Sequence, residues 1–462
     1  MPCGASSSEE TTGPDPPGGL YRTRARFAVV ELSPFRGYRP NPAVAEGDET
    51  ICPVYDTLSE GEFEQYGQSP YNAAHFVARP HGASLDEFLR SAKESLDRAL
   101  AERAYLQDDA ASLYVYGIQY VPPADILEEI PLAQRRPEYL LLGLVGSLDI
   151  GTMRHGDVAL HELTFADRVE ERVALTDVSG MSFAPILAGY DDPSHRLNNR
   201  IEQLLGLDRR ELKFSGRELP VTEGRLGATH HRIWRVDCPE VLEELRSIVR
   251  PMRLLILDGH HRFTAAARRS HDGNPSAPLV MVVDGHDRAL QVLPWHRFLP
   301  EGRFASREFL RSVERVPEFH RRSLGPPTVN RALSDLADMR EHHRRGFVLA
   351  AATGMWEVAG PDSDDVGADF DLLHAFLEDG LGIDPHLLEF HRSVRLALGR
   401  IADGAGGSAM LLPALTERGI EERAFGAGAV MAHKSTMFLP KVAEGLLFGP
   451  AEPADRAAIA TR

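Results

Sequence analysis

Leu254-Leu255-Ile256-Leu257-Asp258-Gly259-His260-His261-Arg262-Phe263-Thr264-Ala265-Ala266-Ala267 is the stretch that decides how this chain is read. Four aliphatic residues in a row have the length and composition of a buried strand. Asp-Gly makes a tight turn, and the Ala-rich run that follows favours helix. A strand that turns directly into a helix presents unpaired backbone N–H groups and the positive end of the helix dipole, which together form an anion site. Asp258, at the strand end, can cap the helix, hold a metal or act as a base. His260, His261 and Arg262 place donors where a phosphate would lie, and Arg can grip it in a bidentate way.

The flanking sequence gives this turn an α/β setting. Val241 to Val249 has helical spacing, and Leu279 to Val283 returns to strand, so the region reads helix, strand, turn, helix, strand. Upstream, Leu85 to Arg103 is an amphipathic helix through Leu85, Phe88, Leu89, Ala92, Leu96 and Leu100. Arg26 to Leu32, Ser112 to Tyr120, Tyr139 to Val145 and Pro185 to Tyr190 read as strands. Downstream, Gly346 to Ala352 and Met355 to Val358 form a hairpin around Thr353-Gly354, Leu372 to Leu377 and Val394 to Ile401 are helical, and Ala409 to Leu412 is a strand. Asp362 to Asp365 is an acidic loop. The fold class expected is mixed α/β, with this strand-turn-helix unit at its core. Residues 1–20 hold almost nothing that can be buried and are expected to form a disordered tail. An α/β domain over 21–300 carries the turn, and a C-terminal α/β lobe over 301–462 packs on it.

Bulk properties narrow the function. The 462 residues are 43% hydrophobic and 26% charged, a globular composition of more than one ordinary domain. A net charge of −17 repels a phosphate backbone, and the basic pairs Arg135-Arg136, Arg209-Arg210 and Arg321-Arg322 do not form a tract, so nucleic acid is not an expected partner. Cys3, Cys52 and Cys238 have no Cys-x-x-Cys spacing, which argues against a zinc ribbon or a disulfide framework. The N-terminus lacks a basic and then apolar leader, and no apolar run reaches the length of a membrane span. The expected setting is cytoplasmic.

Other candidate motifs are tested by their chemistry. Gly428 followed by His433-Lys434-Ser435 has Walker A spacing, but a His stands where the loop needs Gly, and Pro440 interrupts the helix that should follow. Lys434 with the hydroxyls of Ser435 and Thr436 can still bind phosphate from an ordinary loop. His161-Glu162 near Thr164 is an acid and base pair if it reaches a cleft, although the alternation of Val158 to Phe165 favours satisfaction of these side chains within a sheet. The pairs His230-His231, His260-His261 and His342-His343 make no His-Glu-x-x-His helix. Neither a Gly-x-Ser-x-Gly elbow nor a Gly-x-Gly-x-x-Gly fingerprint follows a strand.

Asp258-Gly259-His260-His261-Arg262 after an apolar strand resembles the signature of the domain-of-unknown-function 1015 family. The likeness runs over nearly the whole chain after the tail. It takes in Pro34-Phe35-Arg36-Gly37, Pro53-Val54-Tyr55-Asp56 with Ser59, Ser69-Pro70-Tyr71-Asn72, Leu113-Tyr114-Val115-Tyr116, His161-Glu162 with Thr164, His231 with Trp234, His296-Arg297, and Lys434-Ser435-Thr436 with Phe438, Pro440 and Lys441. Where the family has Pro-Pro-Tyr-Asp this chain has Pro53-Val54-Tyr55-Asp56, and its Met-Pro-Gln-Lys-Ser-Thr is Met431-Ala432-His433-Lys434-Ser435-Thr436. Arg392 follows His391 where relatives tend to carry an acidic residue.

Around the turn, that family is similar to the ParB and sulfiredoxin-like superfamily, whose enzymes bind a nucleotide or phosphate donor there and include kinases of free serine. The resemblance implies a ParB/sulfiredoxin-like core and a small-molecule kinase for a hydroxylated metabolite, with free L-serine the first candidate. Asp258, Asp56 and His260 are then the expected catalytic residues. Gly259, His261, Arg262, Lys434, Ser435 and Thr436 are expected to hold the donor, which is ATP, ADP or pyrophosphate. Mg²⁺ is expected, with Asp258 a possible ligand. A regulatory protein that binds phosphate or nucleotide without turnover is the alternative, and convergence of Asp56, Asp258 and Lys434 in one cleft is what separates the two.

Overall fold

The structure is a computed structural model and describes residues 30–154, 156–215, 219–361, 365, 367–426 and 430–453. The tail expected at 1–20, the apolar residues Phe27 to Val29, most of the Asp362 to Asp365 loop and Gly428 lie outside the described residues.

The long apolar run becomes the backbone of a nine-stranded mixed sheet. Tyr139–Leu148 is buried at all ten positions, as a strand covered on both faces must be. It pairs antiparallel with Leu113–Tyr120 on one side and Leu279–Asp284 on the other. Beyond Leu279–Asp284 come Ile186–Tyr190 in parallel, then Leu254–Asp258 antiparallel, then the short Val158–Ala159. The opposite edge is the hairpin Thr222–Leu226 and Thr229–Val236, and Leu32–Ser33 pairs off the path with Tyr139–Leu148. The mixed α/β class is thereby observed.

Alternation along each strand divides the core in two. Leu113, Val115, Leu142, Leu144, Val280, Val282, Leu254 and Ile256 face the helices Arg196–Leu205 and Pro239–Val249. Tyr114, Tyr116, Leu141, Val145, Met281, Val283, Leu255 and Leu257 face the opposite way, onto Phe438, Val442, Leu446 and Leu447 from the end of the chain.

A second sheet of six strands is antiparallel throughout, in the order His320–Gly325, Gly354–Ala359, Gly346–Ala351, Ser408–Leu411, His296–Leu299, Glu389–His391. Its second and third strands are the expected hairpin. The expected helix at Leu372 to Leu377 is shifted, running over Ala368–Ala375 and then widening into a π-turn. The chain leaves this sheet at Leu411 and returns to the first one. Thr436–Leu439 pairs with Gln291–Pro294, Cys52 bridges Glu444, and Gly449–Pro450 pairs with Met181–Ser182. That return carries Lys434, Thr436 and Lys441 to the turn after Leu254–Asp258.

Candidate functional site

The turn forms as its sequence requires. The strand ends at Asp258 after a register shift, and Gly259 takes φ 91° and ψ 29°, a left-handed conformation that glycine adopts without steric cost. The helix starts at His260, directly after the turn, and extends to His271. Gly259 is its N-cap and no side chain caps it, so Asp258 does not take the capping role open to it. The first-turn N–H groups therefore have neither an intrahelical acceptor nor a side-chain cap.

Above this turn lies a cleft of about 600 Å³, and most of the residues singled out in the sequence line it. Asp56 and Lys434 meet there with Nζ 3.0 Å from Oδ2, although they are 378 residues apart. Asp258 pairs with Lys441, and Arg262 Nη2 lies 3.5 Å from its other oxygen. Burial alone would raise both carboxyls. For Asp56 the charge and hydrogen bond of Lys434, with Lys441 and His261, bring it well below the usual carboxylate range. For Asp258 the charges of Lys441 and Arg262 bring it below its ordinary value against the repulsion of Asp56. Lys434 is lowered by burial and raised by Asp56, and the balance is upward. Both aspartates are ionised and both lysines face them.

The two histidines of the motif differ. His260 is buried, with Nε2 3.2 Å from Nδ1 of His161 and Nδ1 3.7 Å from Glu162 Oε1. His161 Nδ1 is 2.8 Å from the Ile256 carbonyl, so this nitrogen carries the proton, and its Nε2 accepts the Thr436 hydroxyl at 2.7 Å. Burial holds both rings at about 3, so they are neutral near pH 7. His261 accepts the Phe165 N–H at Nε2 (3.1 Å), which leaves Nδ1 with the proton, and burial lowers it to about 4. Phe165 also stacks on His433, with ring centroids 4.1 Å apart and planes 11° from parallel.

Arg262 and Ser435 sit differently from what their residue types suggest. Arg262 donates from Nη1 to the carbonyls of Ala184 and Pro185, and its guanidinium lies against Gly259. The guanidinium is thus part of the cleft wall. Ser435 has no exposed surface and its hydroxyl donates to the Ala432 carbonyl, so its side chain does not line the cleft. Its N–H and that of Thr436 donate to Glu162 Oε2 at 3.0 and 3.3 Å. That pair of bonds fixes Glu162 in the cleft.

Glu162, Trp295 and Lys441 line the cleft without being among the expected site residues. Lys441 is expected only as one of a run of family residues, and Glu162 both in that run and as half of an acid and base pair weighed against burial in a sheet. In the structure the strand stops at Ala159, and Glu162 reaches the cleft from a loop bridged to Met431. Trp295, whose ring lies 5.7 Å beneath Lys434 Nζ, carries no local signal at all. Among the described residues no group of three His, Cys, Asp or Glu side chains is arranged to cage a metal.

No curated protein matches the chain. Among solved structures it is similar to a conserved hypothetical protein from Pyrococcus furiosus, at 13% identity over 64% of this chain and 93% of that one, with a TM-score of 0.36. A free serine kinase in complex with AMP aligns at 13% identity over 65% and 91%, TM-score 0.37. SbnI from Staphylococcus aureus with a C-terminal truncation aligns at 12% identity over 64% and 82%, TM-score 0.34. The model of the family described as "Protein of unknown function (DUF1015)" matches residues 32–368, from the first described strand past the Asp258 turn, and the chain belongs to that family.

Proposed function

We propose that the cleft is a phosphotransferase site that moves a phosphoryl group from ATP, ADP or pyrophosphate to the hydroxyl of a small metabolite, with free L-serine the first candidate through the superfamily resemblance of the Asp-Gly-His turn. The observation that carries this reading is the convergence of Asp56, Asp258, Lys434 and Lys441 around an uncapped helix N-terminus. A phosphate sensor needs the cations and the N–H groups. It has no use for two ionised carboxylates beside them, which repel its ligand.

Phosphoryl transfer asks for positioning and charge neutralisation more than for covalent chemistry. The helix N-terminus, Gly259 and the ammoniums of Lys434 and Lys441 would receive the donor phosphates, and His261 would donate from Nδ1. Asp258 or Asp56 would orient the acceptor hydroxyl and take its proton as the new O–P bond forms and the donor's P–O bond breaks. Lysines drawn to phosphate no longer hold the aspartates down, so each carboxylate becomes a better base once the donor is bound. Arg262 holds the wall of the turn and the charge of Asp258. His260, with His161 behind it, positions Glu162, while Ser435 does so through its backbone and Thr436 also closes the cleft edge. Mg²⁺ fits as an ion arriving with the phosphates, since one or two carboxylates suffice for it in such sites. One of Asp56 and Asp258 would hold it, leaving the other free to act on the acceptor hydroxyl, and it would neutralise charge on the phosphate oxygens.

The test is incubation of the full chain with Mg²⁺, each of the three donors and a panel of hydroxy amino acids, with mass spectrometry of the products. A phosphorylated acceptor is the expected result. Tight donor binding without product from any pair would replace the kinase by the regulatory reading.

A further inference from the structure

A second cavity, of about 520 Å³, adjoins the cleft: Tyr55 and Arg262 line both. Part of its wall is apolar, from Leu175 and Phe183, but three charged side chains stand in it. Glu444 is 2% exposed and its Oε1 is buried without a hydrogen-bond partner. Arg172 is 5% exposed, and the Nε groups of Arg172 and Arg262 are likewise buried without partners. Their terminal nitrogens are committed elsewhere. Arg172 donates to Glu171 and to the Val77 carbonyl and lies over the Tyr55 ring, and Arg262 donates to Ala184 and Pro185. Neither arginine comes within ion-pair distance of Glu444; burial raises its carboxyl above the ordinary value, and Arg262, Arg172 and the Tyr55 backbone offset only part of that.

Buried groups of this kind carry a large cost unless something meets them. A simple anion would satisfy the two Nε–H donors and be repelled by Glu444. A simple cation would do the reverse. A small molecule carrying both charges satisfies all three. We propose that this second cavity is the acceptor subsite and takes a small α-amino acid as its zwitterion, with the ammonium on Glu444 and the carboxylate on the Nε–H groups of Arg172 and Arg262. Tyr55 and Arg262 are the residues at which this cavity meets the cleft, with Asp258 on the cleft side of the Arg262 guanidinium. The inference rests on the phosphotransferase reading for the meaning of "acceptor". The charge pattern itself is independent of it.

Calorimetric titration of the full chain, with and without ADP, tests it using L-serine, L-threonine, L-homoserine, N-acetyl-L-serine and L-serine methyl ester. At least one free amino acid should bind, and blocking its ammonium or its carboxylate should weaken it by about tenfold or more, the scale of one lost charge-assisted hydrogen bond. Glu444→Gln should weaken the free amino acid by a similar factor and leave ADP affinity within about twofold. The blocked ligands test the same point on the unmodified protein, should that variant fold poorly. ADP binding with no amino acid binding would mean that water alone occupies the cavity and would overturn the inference while sparing the donor site. Equal affinity for free and blocked ligands, or for wild type and Glu444→Gln, would overturn it too. Absence of ADP binding in the wild type would instead strike at the proposed function.

Discussion

Asp258→Asn separates charge from shape at the turn. Asparagine keeps the volume of the side chain, and the helix start does not depend on it, because Gly259 is the N-cap and no side chain caps the first turn. What is lost is one negative charge shared by Lys441 and Arg262, whose side chains are 25% and 14% exposed beside an aspartate at 19%. Breaking a well-buried pair costs about 3–5 kcal/mol and an exposed one under about 1 kcal/mol, so a partly buried carboxylate with two cations should cost about 1–2 kcal/mol. Because the folded carboxyl titrates below its ordinary value, that stability is present above pH 3.8 and lost as pH falls through the folded value, and the variant should lack this part of the acid slope. Turnover at saturating donor and Mg²⁺ should fall by about a hundredfold, which is about 2.7 kcal/mol of barrier. Donor affinity should hold or rise, since Lys441 is released to the phosphates, whereas Lys441→Met should lower it. Calorimetry with ADP, urea unfolding and a product assay read the three effects separately. Unchanged turnover in Asp258→Asn would remove Asp258 from the mechanism and leave Asp56 in its place.

Two further outcomes follow from the same geometry. Gly259→Ala forces a left-handed residue with a Cβ 2.9 Å from Arg262 Nη2, so urea unfolding should show a loss of about 1–2 kcal/mol together with weaker ADP binding, and a variant as stable as wild type would contradict the observed turn. His161 is lowered from 6.5 to about 3, so the unfolded chain takes up its proton first: its contribution to stability is full above about pH 6.5 and lost as pH falls toward 3, and His161→Gln should flatten the acid limb of the stability curve by up to about 1.4 kcal/mol per pH unit.

The parts of the fold legible in the sequence are those whose own residues decide them. Tyr139–Leu148 is apolar but for Ser147 and central, and Leu85–Ala101 announces itself by a clean apolar stripe. The hairpin Thr222–Leu226 and Thr229–Val236 is not legible in the same way. Glu223, Arg225, Arg232 and Arg235 line it, and its place at the sheet edge comes from pairing with Leu113–Tyr120, a contact more than a hundred residues away in the chain. Ala166–Ser179 hides for another reason. Its inner face carries Glu171 and Arg172, buried but bonded to each other, and hydropathy counts them as surface. At the site, the turn is readable because strand, Gly and helix are contiguous. Lys441 and Glu162 are not, because their value depends on where a distant segment returns.

That return also limits how the site can be dissected. The family match ends at residue 368, and a chain cut near residue 430 would keep the motif and lose Lys434, Thr436 and Lys441. It would also lose Phe438, Leu446, Leu447 and Phe448, all at 0% exposure, the first three in the core beneath the main sheet. At about 1.5–3 kcal/mol for each fully buried side chain, these four contribute about 6–12 kcal/mol, comparable with the whole stability of an ordinary domain. Removal of residues 431–462 is therefore expected to unfold the nine-stranded sheet, seen as loss of a cooperative thermal transition in circular dichroism. A truncated chain that kept a wild-type transition would show that the returning segment is an appendage on the core and not part of it. Cation and core share one segment, so loss of activity on truncation says nothing about phosphate binding, and only point substitutions such as Lys441→Met isolate the charge from the fold that delivers it.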